Sequence, residues 1–436
     1  MQMPNILHDV PHLTTALAGP ILELERRILD AQTDIEAWLR RQWRGTPPPF
    51  YASVDLRNAG FKLAPVDTNL FPAGFNNLNP DFHPMCVQAL QSAVERGCPT
   101  AARILILAED HTRNTRYFEH LATLSRLCTL AGFETRVAAL GLETDMSHDP
   151  GSGHALRIEP LRREGKRVLT ASGFDPCLLL LNNDLSAGVP ERLQGLSQDI
   201  APPLALGWST RLKSGHFEHY RKVAQELAGL LDLDPWLMDP LFLNCGEINF
   251  MTRDGEECLA EHVDALLART RAKYREYGIA QQPFAVIKAD AGTYGMAVMT
   301  VQDASEITGL NRKQRTRMAA SKGGRAVQRV LIQEGVPTFE TWGQPPAVAE
   351  PVVYMVDRFV VGGFYRVHTG RGPEENLNAP GMHFEPLAFA SSCNTPNLGA
   401  PPGDAPNRFY AYGVIARLAL VAAARETQAA LAGGAG

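Results

Sequence analysis

Lys288 ends an apolar run, Phe284 to Ile287, and is followed by Gly292 and Gly295 on either side of a Thr-Tyr pair before Ala-Val-Met-Thr-Val resumes at 297–301. This pattern predicts a strand-loop-strand hairpin with a glycine tip. Glycines let backbone N–H groups approach a phosphate closely, and a lysine at the strand end neutralises its oxygens. It is not a Walker loop, because G-x-x-x-x-G-K-[ST] is absent. An ordinary hairpin with a lysine reaching for solvent has the same pattern. A second apolar run, Arg329 to Val336, carries Gln333 and Glu334 ahead of Gly335. A strand edge with a carboxylate can read an adenine amino group and ribose hydroxyls, though most such strands only run into a turn. A third stretch, 352–369, reads as two strands around Gly362-Gly363 and carries Asp357 and Arg366; Glu374 and Asn376 follow. Mg2+ takes hard oxygen donors, so a Glu-x-Asn pair suits it, and an arginine can clamp a transferring phosphoryl group. A solvated acidic turn would look the same.

Upstream, residues 54–78 crowd Arg57, Asn58, Lys62, Asp67, Asn69, Asn76 and Asn77 into one segment. It reads as too polar for a core strand and too structured for a linker. A zwitterionic amino acid needs a cation for its carboxylate and an acid or amide for its ammonium. Arg57 and Lys62 suit the first role; Asp67 and the asparagines suit the second. A well-capped surface loop is the alternative. Glu109, His111, Thr112, Arg113 and Asn114 come at the carboxyl end of the strand-like run 102–110, where open α/β sheets place ligands, and Asn182 to Asp184 end another. Each could equally cap a helix or make a turn.

The elements that position these residues alternate along the chain. Ile21, Leu24, Ile28, Ile35 and Leu39 recur at helical spacing and predict one long helix over 20–43. Strand-like 102–110, helix-like 116–132, strand-like 135–141 and the apolar run 177–184 signal a parallel sheet with helices on its faces. Helices are expected over 216–233 and 256–278, and an alanine-rich helix over 410–432. The basic stretch 312–325 is helix or loop. At 436 residues the chain exceeds one core, and its 45% hydrophobic and 20% charged content is that of a globular protein. A net charge of −5 gives no footprint for nucleic acid, no run is long enough to span a membrane, and the first residues lack a signal-peptide pattern, so a cytoplasmic setting is expected. Seven cysteines without a C-x-x-C pair suggest neither a disulfide frame nor a zinc knuckle.

The order of lysine strand with glycine loop, Gln-Glu strand, arginine strand and Glu-x-Asn resembles the ATP-binding half of the ATP-grasp superfamily, glutathione synthetases included. Segments 54–78, 102–118 and 178–188 resemble the proteobacterial glutamate-cysteine ligase family, the type distinct from the enterobacterial enzyme. The resemblance implies an α/β, ATP-grasp-like fold. Its parts would be an N-terminal α/β substrate domain at 1–205, a helical entry at 206–282, a lid at 283–340 and a C-terminal ATP/Mg-binding part with mixed sheets at 341–436. It implies that ATP phosphorylates the γ-carboxylate of glutamate and that the cysteine amine then displaces phosphate. Lys213, just before a helix, would join Lys288, Gly292, Gly295, Gln333, Glu334 and Val336 in binding ATP; Arg366 and Lys288 would serve catalysis. The 54–78 residues would bind substrate, and Asp357, Glu374 and Asn376 would hold Mg2+. Such enzymes commonly supply a carboxylate shortly before the Glu-x-Asn pair; here Asp357 is the nearest acid. A ligase for another amino acid pair, or an ATP- and amino-acid-binding module without turnover, shares the nucleotide motifs.

Overall fold

The computed structural model describes residues 20–110, 114–149, 155–292, 297–320, 326–386 and 408–433. The chain opens on helices α1 (Pro20–Asp30) and α2 (Gln32–Gly45), then strands β1 (Tyr51–Asn58) and β2 (Leu63–Asn69). An α/β segment follows: α3 (His83–Gly97), β3 (Arg103–Ala108), α4 (Thr115–Leu130), β4 (Glu134–Ala139), β5 (Met146–His148), β6 (Leu156–Glu164), β7 (Arg167–Thr170), β8 (Leu178–Leu181) and β9 (Asp199–Ala201). Next come α5 (Lys213–Leu231), β10 (Phe242–Gly246), α6 (Glu256–Glu276), β11 (Ala285–Ala289), β12 (Val298–Val301), α7 (Ser305–Thr308), α8 (Arg312–Met318) and β13 (Arg329–Glu334). The last elements are β14 (Thr341–Trp342), β15 (Ala347–Val356), β16 (Phe359–His368), β17 (His383–Pro386) and α9 (Arg408–Gly433).

Three sheets result. One has the order β5-β6-β4-β3-β8-β9, with β6, β4, β3, β8 and β9 parallel, and its central strands are continuous apolar runs because both faces are buried: Ile104, Ile106, Leu178 and Leu180 pack with α4, while Leu105, Leu107, Leu179 and Leu181 face the other core. The second, β10-β13-β11-β12, is antiparallel and closes the predicted 284–301 hairpin in the register Lys288 opposite Val298. The third, β17-β16-β15-β1-β2 with β14 on β15, is also antiparallel. It joins residues 51–69 to 347–386, so the span 1–205 contributes to two sheets.

Several sequence expectations change in detail. The long N-terminal helix breaks at Ala31 (ψ 16), which separates α1 from α2 while both bury their apolar stripes. Segment 51–58 is a core strand, because its polar side chains find buried partners. The turn between the two long strands falls at Asp357-Arg358, not at Gly362-Gly363. Asp357 takes the left-handed conformation there (φ 51), while Gly362 lies within β16 opposite Tyr354, beside a register shift. The alanine-rich helix expected over 410–432 is α9, and Tyr410 to Ala424 are mostly fully buried against α5, β1 and β2, since small side chains let the backbones approach closely. The largest apolar core unites α1, α2, α5 and α9 with the inner faces of β1, β2, β15 and β16.

Candidate active site

β11 and β13 of the second sheet face β1, β2, β15 and β16 of the third across an open cavity. Side-chain alternation decides which residues enter it. Asp55 and Arg57 lie two apart on one face of β1, and Glu350 on β15 sits directly opposite Arg366 on β16. From the predicted set the cavity gathers Arg57, Asp67, Lys213, Lys288, Gly292, Gln333, Glu334, Val336, Arg366, Glu374 and Asn376. Gly292 takes φ 104, a conformation that suits glycine at the start of the hairpin tip.

Lys288 Nζ donates to Val66 O and to Gln333 Oε1, both at 2.7 Å. Lys213 Nζ lies 3.9 Å above the Trp208 ring and donates to Gly292 O. Among the described residues neither ammonium forms an ion pair with a carboxylate. The cleft removes water from both, and this desolvation outweighs the nearby Asp67, bringing Lys288 down to about 8 and lowering Lys213 as well. Burial pushes the Asp67 carboxyl up, but the charges of Lys213, Lys288 and Arg211 prevail and hold it below its ordinary value. The hairpin is anchored to the start of α5. Asp290, next to β11, accepts from Ser214 N and Ser214 Oγ, and its carbonyl accepts from Lys213 N, all at 2.8 Å.

Arg366 Nη1 donates to Asp55 at 2.9 Å and to Glu350 at 2.5 Å; its Nε has no partner among the described residues. Arg57 is buried and fully engaged. Its Nε bonds Glu350 (2.9 Å), Nη1 the carbonyls of Val336 (3.2 Å) and Pro373 (3.1 Å), and Nη2 that of Glu375 (2.5 Å). One guanidinium thus ties β1 to the end of β13 and to the loop carrying Glu374 and Asn376. Burial pushes Asp55 above its ordinary value, aided by neighbouring Glu350 and Asp67 and opposed by Arg366. Burial acts the same way on Glu350, but Arg57 and Arg366 together hold it low.

A second chamber opens off the first and shares Asp55, Asp67, Arg366 and Asn378 with it. Asn69, Asn76 and Asn77 line this chamber with Glu109, Asn114, Arg116 and Asp184. Asn114 also caps α4, accepting from Tyr117 N. His120 accepts from Phe75 N at Nδ1, which leaves the Nε2 proton for Asn182 Oδ1, and burial lowers its pKa to about 4. Asn182 also bonds Tyr51 and Pro72 O, so it braces the chamber wall.

Several predicted residues lie elsewhere. Lys62 is fully enclosed, pairs with Glu334 at 2.7 Å and sits 4.3 Å over Trp236; it is a core strut, not a substrate ligand. Glu334 is held by the same group, accepting also from Trp236 Nε1 and Leu241 N. Asn58 is buried against Glu340 and Tyr412. Asp357, at the far turn of the β15–β16 hairpin, bonds Ser92 and Arg96 of α3 and does not reach the cavity. Gly295, His111, Thr112 and Arg113 lie outside the described residues. Sequence reasoning missed Asp55 and Glu350. The available signal was a lone acid inside an apolar strand, Val-Asp-Leu and Ala-Glu-Pro-Val-Val, since a charge that a strand buries needs a partner.

Residues 25–427 match the profile of the glutamate-cysteine ligase family. None of the curated proteins compared matches. A solved structure from Methylobacillus flagellatus KT, provisionally named gamma-glutamylcysteine synthetase, is 57% identical over 96% of this chain and 99% of that one, with a TM-score of 0.88. More distant are a glutathione synthetase-like effector from Globodera pallida (11% identity, 85% of each chain, TM-score 0.40) and D-alanyl-alanine synthetase A from Vibrio cholerae O1 biovar eltor (11% identity, 73% of this chain, 81% of that one, TM-score 0.33).

Proposed function

The chain belongs to the glutamate-cysteine ligase family, and on that premise we propose that ATP occupies the cavity between the two antiparallel sheets and glutamate the adjoining chamber. The enzyme joins the γ-carboxylate of glutamate to the amine of cysteine and cleaves ATP to drive the bond. The observation that carries the placement is the pair Lys213 and Lys288, two desolvated ammonium groups without carboxylate partners among the described residues, facing a cavity that meets a polar chamber at Arg366. A triphosphate supplies the negative charge that both lysines lack.

Gln333, Val336 and the backbone at the end of β13 form the apolar and amide wall suited to a purine. Arg366, at the junction, meets the phosphoryl group as it passes from ATP to the γ-carboxylate, and the cysteine amine then displaces phosphate. Catalysis here is alignment and charge neutralisation, with little covalent work for the protein. In the chamber, Asp67 and the asparagines at 69, 76 and 77 suit the substrate ammonium; Arg116 and Arg366 are its arginines.

The donor set also fits Mg2+. Six carboxyls and four cationic side chains line the cavity, and burial, with Glu350 and Asp67 close by, raises Asp55. Glu350, Glu374 and Asn376 offer the hard oxygens that Mg2+ takes, and the ion would neutralise charge on the transferring phosphoryl group. A cytoplasmic setting, where thiols stay reduced, suits a cysteine substrate.

Phosphate release should require ATP, glutamate and cysteine together across a panel of acceptor amines. Release with another amine and none with cysteine would reject the substrate assignment. Lys288→Ala and Arg366→Ala should each abolish ligation while circular dichroism stays unchanged, and near-normal turnover in either would remove that residue from the site.

A further inference from the structure

Away from the ligase cavity, β10 and α6 bring together three donors that suit zinc: Cys245, Cys258 and His262. Cys245 Sγ is 3.5 Å from Cys258 Sγ, and Cys258 Sγ is 3.4 Å from His262 Nδ1; all three donor atoms fall within 4.8 Å of one another. None of the three lines the cavity or its adjoining chamber. Tetrahedral zinc, with Zn–S near 2.3 Å and Zn–N near 2.05 Å, places two sulfurs about 3.8 Å apart and a sulfur and nitrogen about 3.6 Å apart. The Cys245–Cys258 and Cys258–His262 spacings lie within a few tenths of an ångström of these values.

From this geometry we propose that Cys245, Cys258 and His262 form a binding site for a thiolate-seeking d10 cation, Zn2+ being the representative, with the fourth position open to water. The burial gradient fits such a site. Cys245 is enclosed in the sheet, whereas Cys258 is exposed and gives the ion its entry. One helical turn separates Cys258 from His262, so both project from the same face of α6 toward the strand. Binding expels the two thiol protons. His262 Nδ1 now lies 2.7 Å from Cys258 O, so ligation moves its remaining proton to Nε2 and exchanges that hydrogen bond for the metal. An ion held there ties α6 to β10, which pairs with the Gln333 strand. Oxygen-seeking Mg2+ has no use for these ligands.

The test uses the full chain, reduced with a phosphine, stripped by chelator and kept anaerobic. Co2+ should bind at one ion per chain with thiolate-to-cobalt charge-transfer absorption and tetrahedral d–d bands, and Zn2+ should displace it and raise the melting temperature. Cys258→Ser and His262→Gln, both at accessible positions on a folded helix, should weaken that uptake at least tenfold and leave ligation with Mg2+ and ATP unchanged. Absence of charge-transfer absorption in the wild type, or the same uptake in Cys258→Ser, overturns the site. So does loss of both thiols together as a disulfide in air if the reduced protein takes up no cobalt.

Discussion

Desolvation in the cleft leaves Lys288 charged below about pH 8 and neutral above it when no anion is near. Bound triphosphate favours the ammonium, so the bound enzyme keeps its proton at higher pH than the empty one. ATP binding therefore takes up a proton above pH 8, and affinity falls as pH rises, by up to about tenfold per unit. Binding isotherms between pH 7.5 and 9.5 in buffers of different ionisation enthalpy should show both effects. Lys288→Arg, charged throughout, should flatten the profile; an equally steep one in that variant would assign the proton elsewhere.

Arg57 acts at the scale of elements. Its three carbonyl acceptors belong to the end of β13 and to the loop 373–375, so one side chain sets the distance between Val336 and the Glu374–Asn376 segment. Lysine at this position keeps the charge for Glu350 but cannot reach three further acceptors in a planar fork. Arg57→Lys should cut turnover by roughly ten- to a hundredfold, the size expected for misplaced catalytic groups. Backbone amides near 336–340 and 373–378 should exchange faster. Unchanged exchange there, with turnover lost, would make Arg57 a direct substrate ligand instead of a positioning residue.

At the scale of the whole molecule, one carboxylate on α9 joins elements far apart in the chain. Glu426 accepts two bonds from Arg211 (2.8 and 3.0 Å) and one from His216 (3.0 Å), and Arg211 also bonds Thr68 O, joining α9, α5 and β2. Burial alone would raise Glu426, but Arg211 and His216 bring it to about 2 against an ordinary 4.5. Because the folded value is the lower, the group stabilises fully above pH 4.5 and loses that contribution as pH falls from 4.5 toward 2. The shift corresponds to about 3 kcal/mol at neutral pH. Glu426→Gln should lose stability of that order in urea at pH 7, and the difference from wild type should narrow below pH 4.5. A constant difference down to pH 3 would place the effect in packing.

By itself the sequence determined the elements and much of the site's inventory. Periodicity marked β3, β4, β8, α5 and α6, and Lys288 with its glycine, Gln333, Arg366 and Glu374 to Asn376 stood in an order that identified a ligase. These signals are local: a strand's alternation or a glycine's backbone freedom is set within a few residues. Only the tertiary structure decided which polar groups face the cavity. Asp55 meets Arg366 across 311 residues and Lys62 meets Glu334 across 272, through antiparallel pairing and sheet packing that no local pattern encodes. The same physics paired Arg57 with Glu350 and Lys62 with Glu334, sent Asp357 to a distant turn, and brought Cys245 beside Cys258 and His262. A cation buried on a strand takes the nearest carboxylate or carbonyl, and folding alone determines which that is.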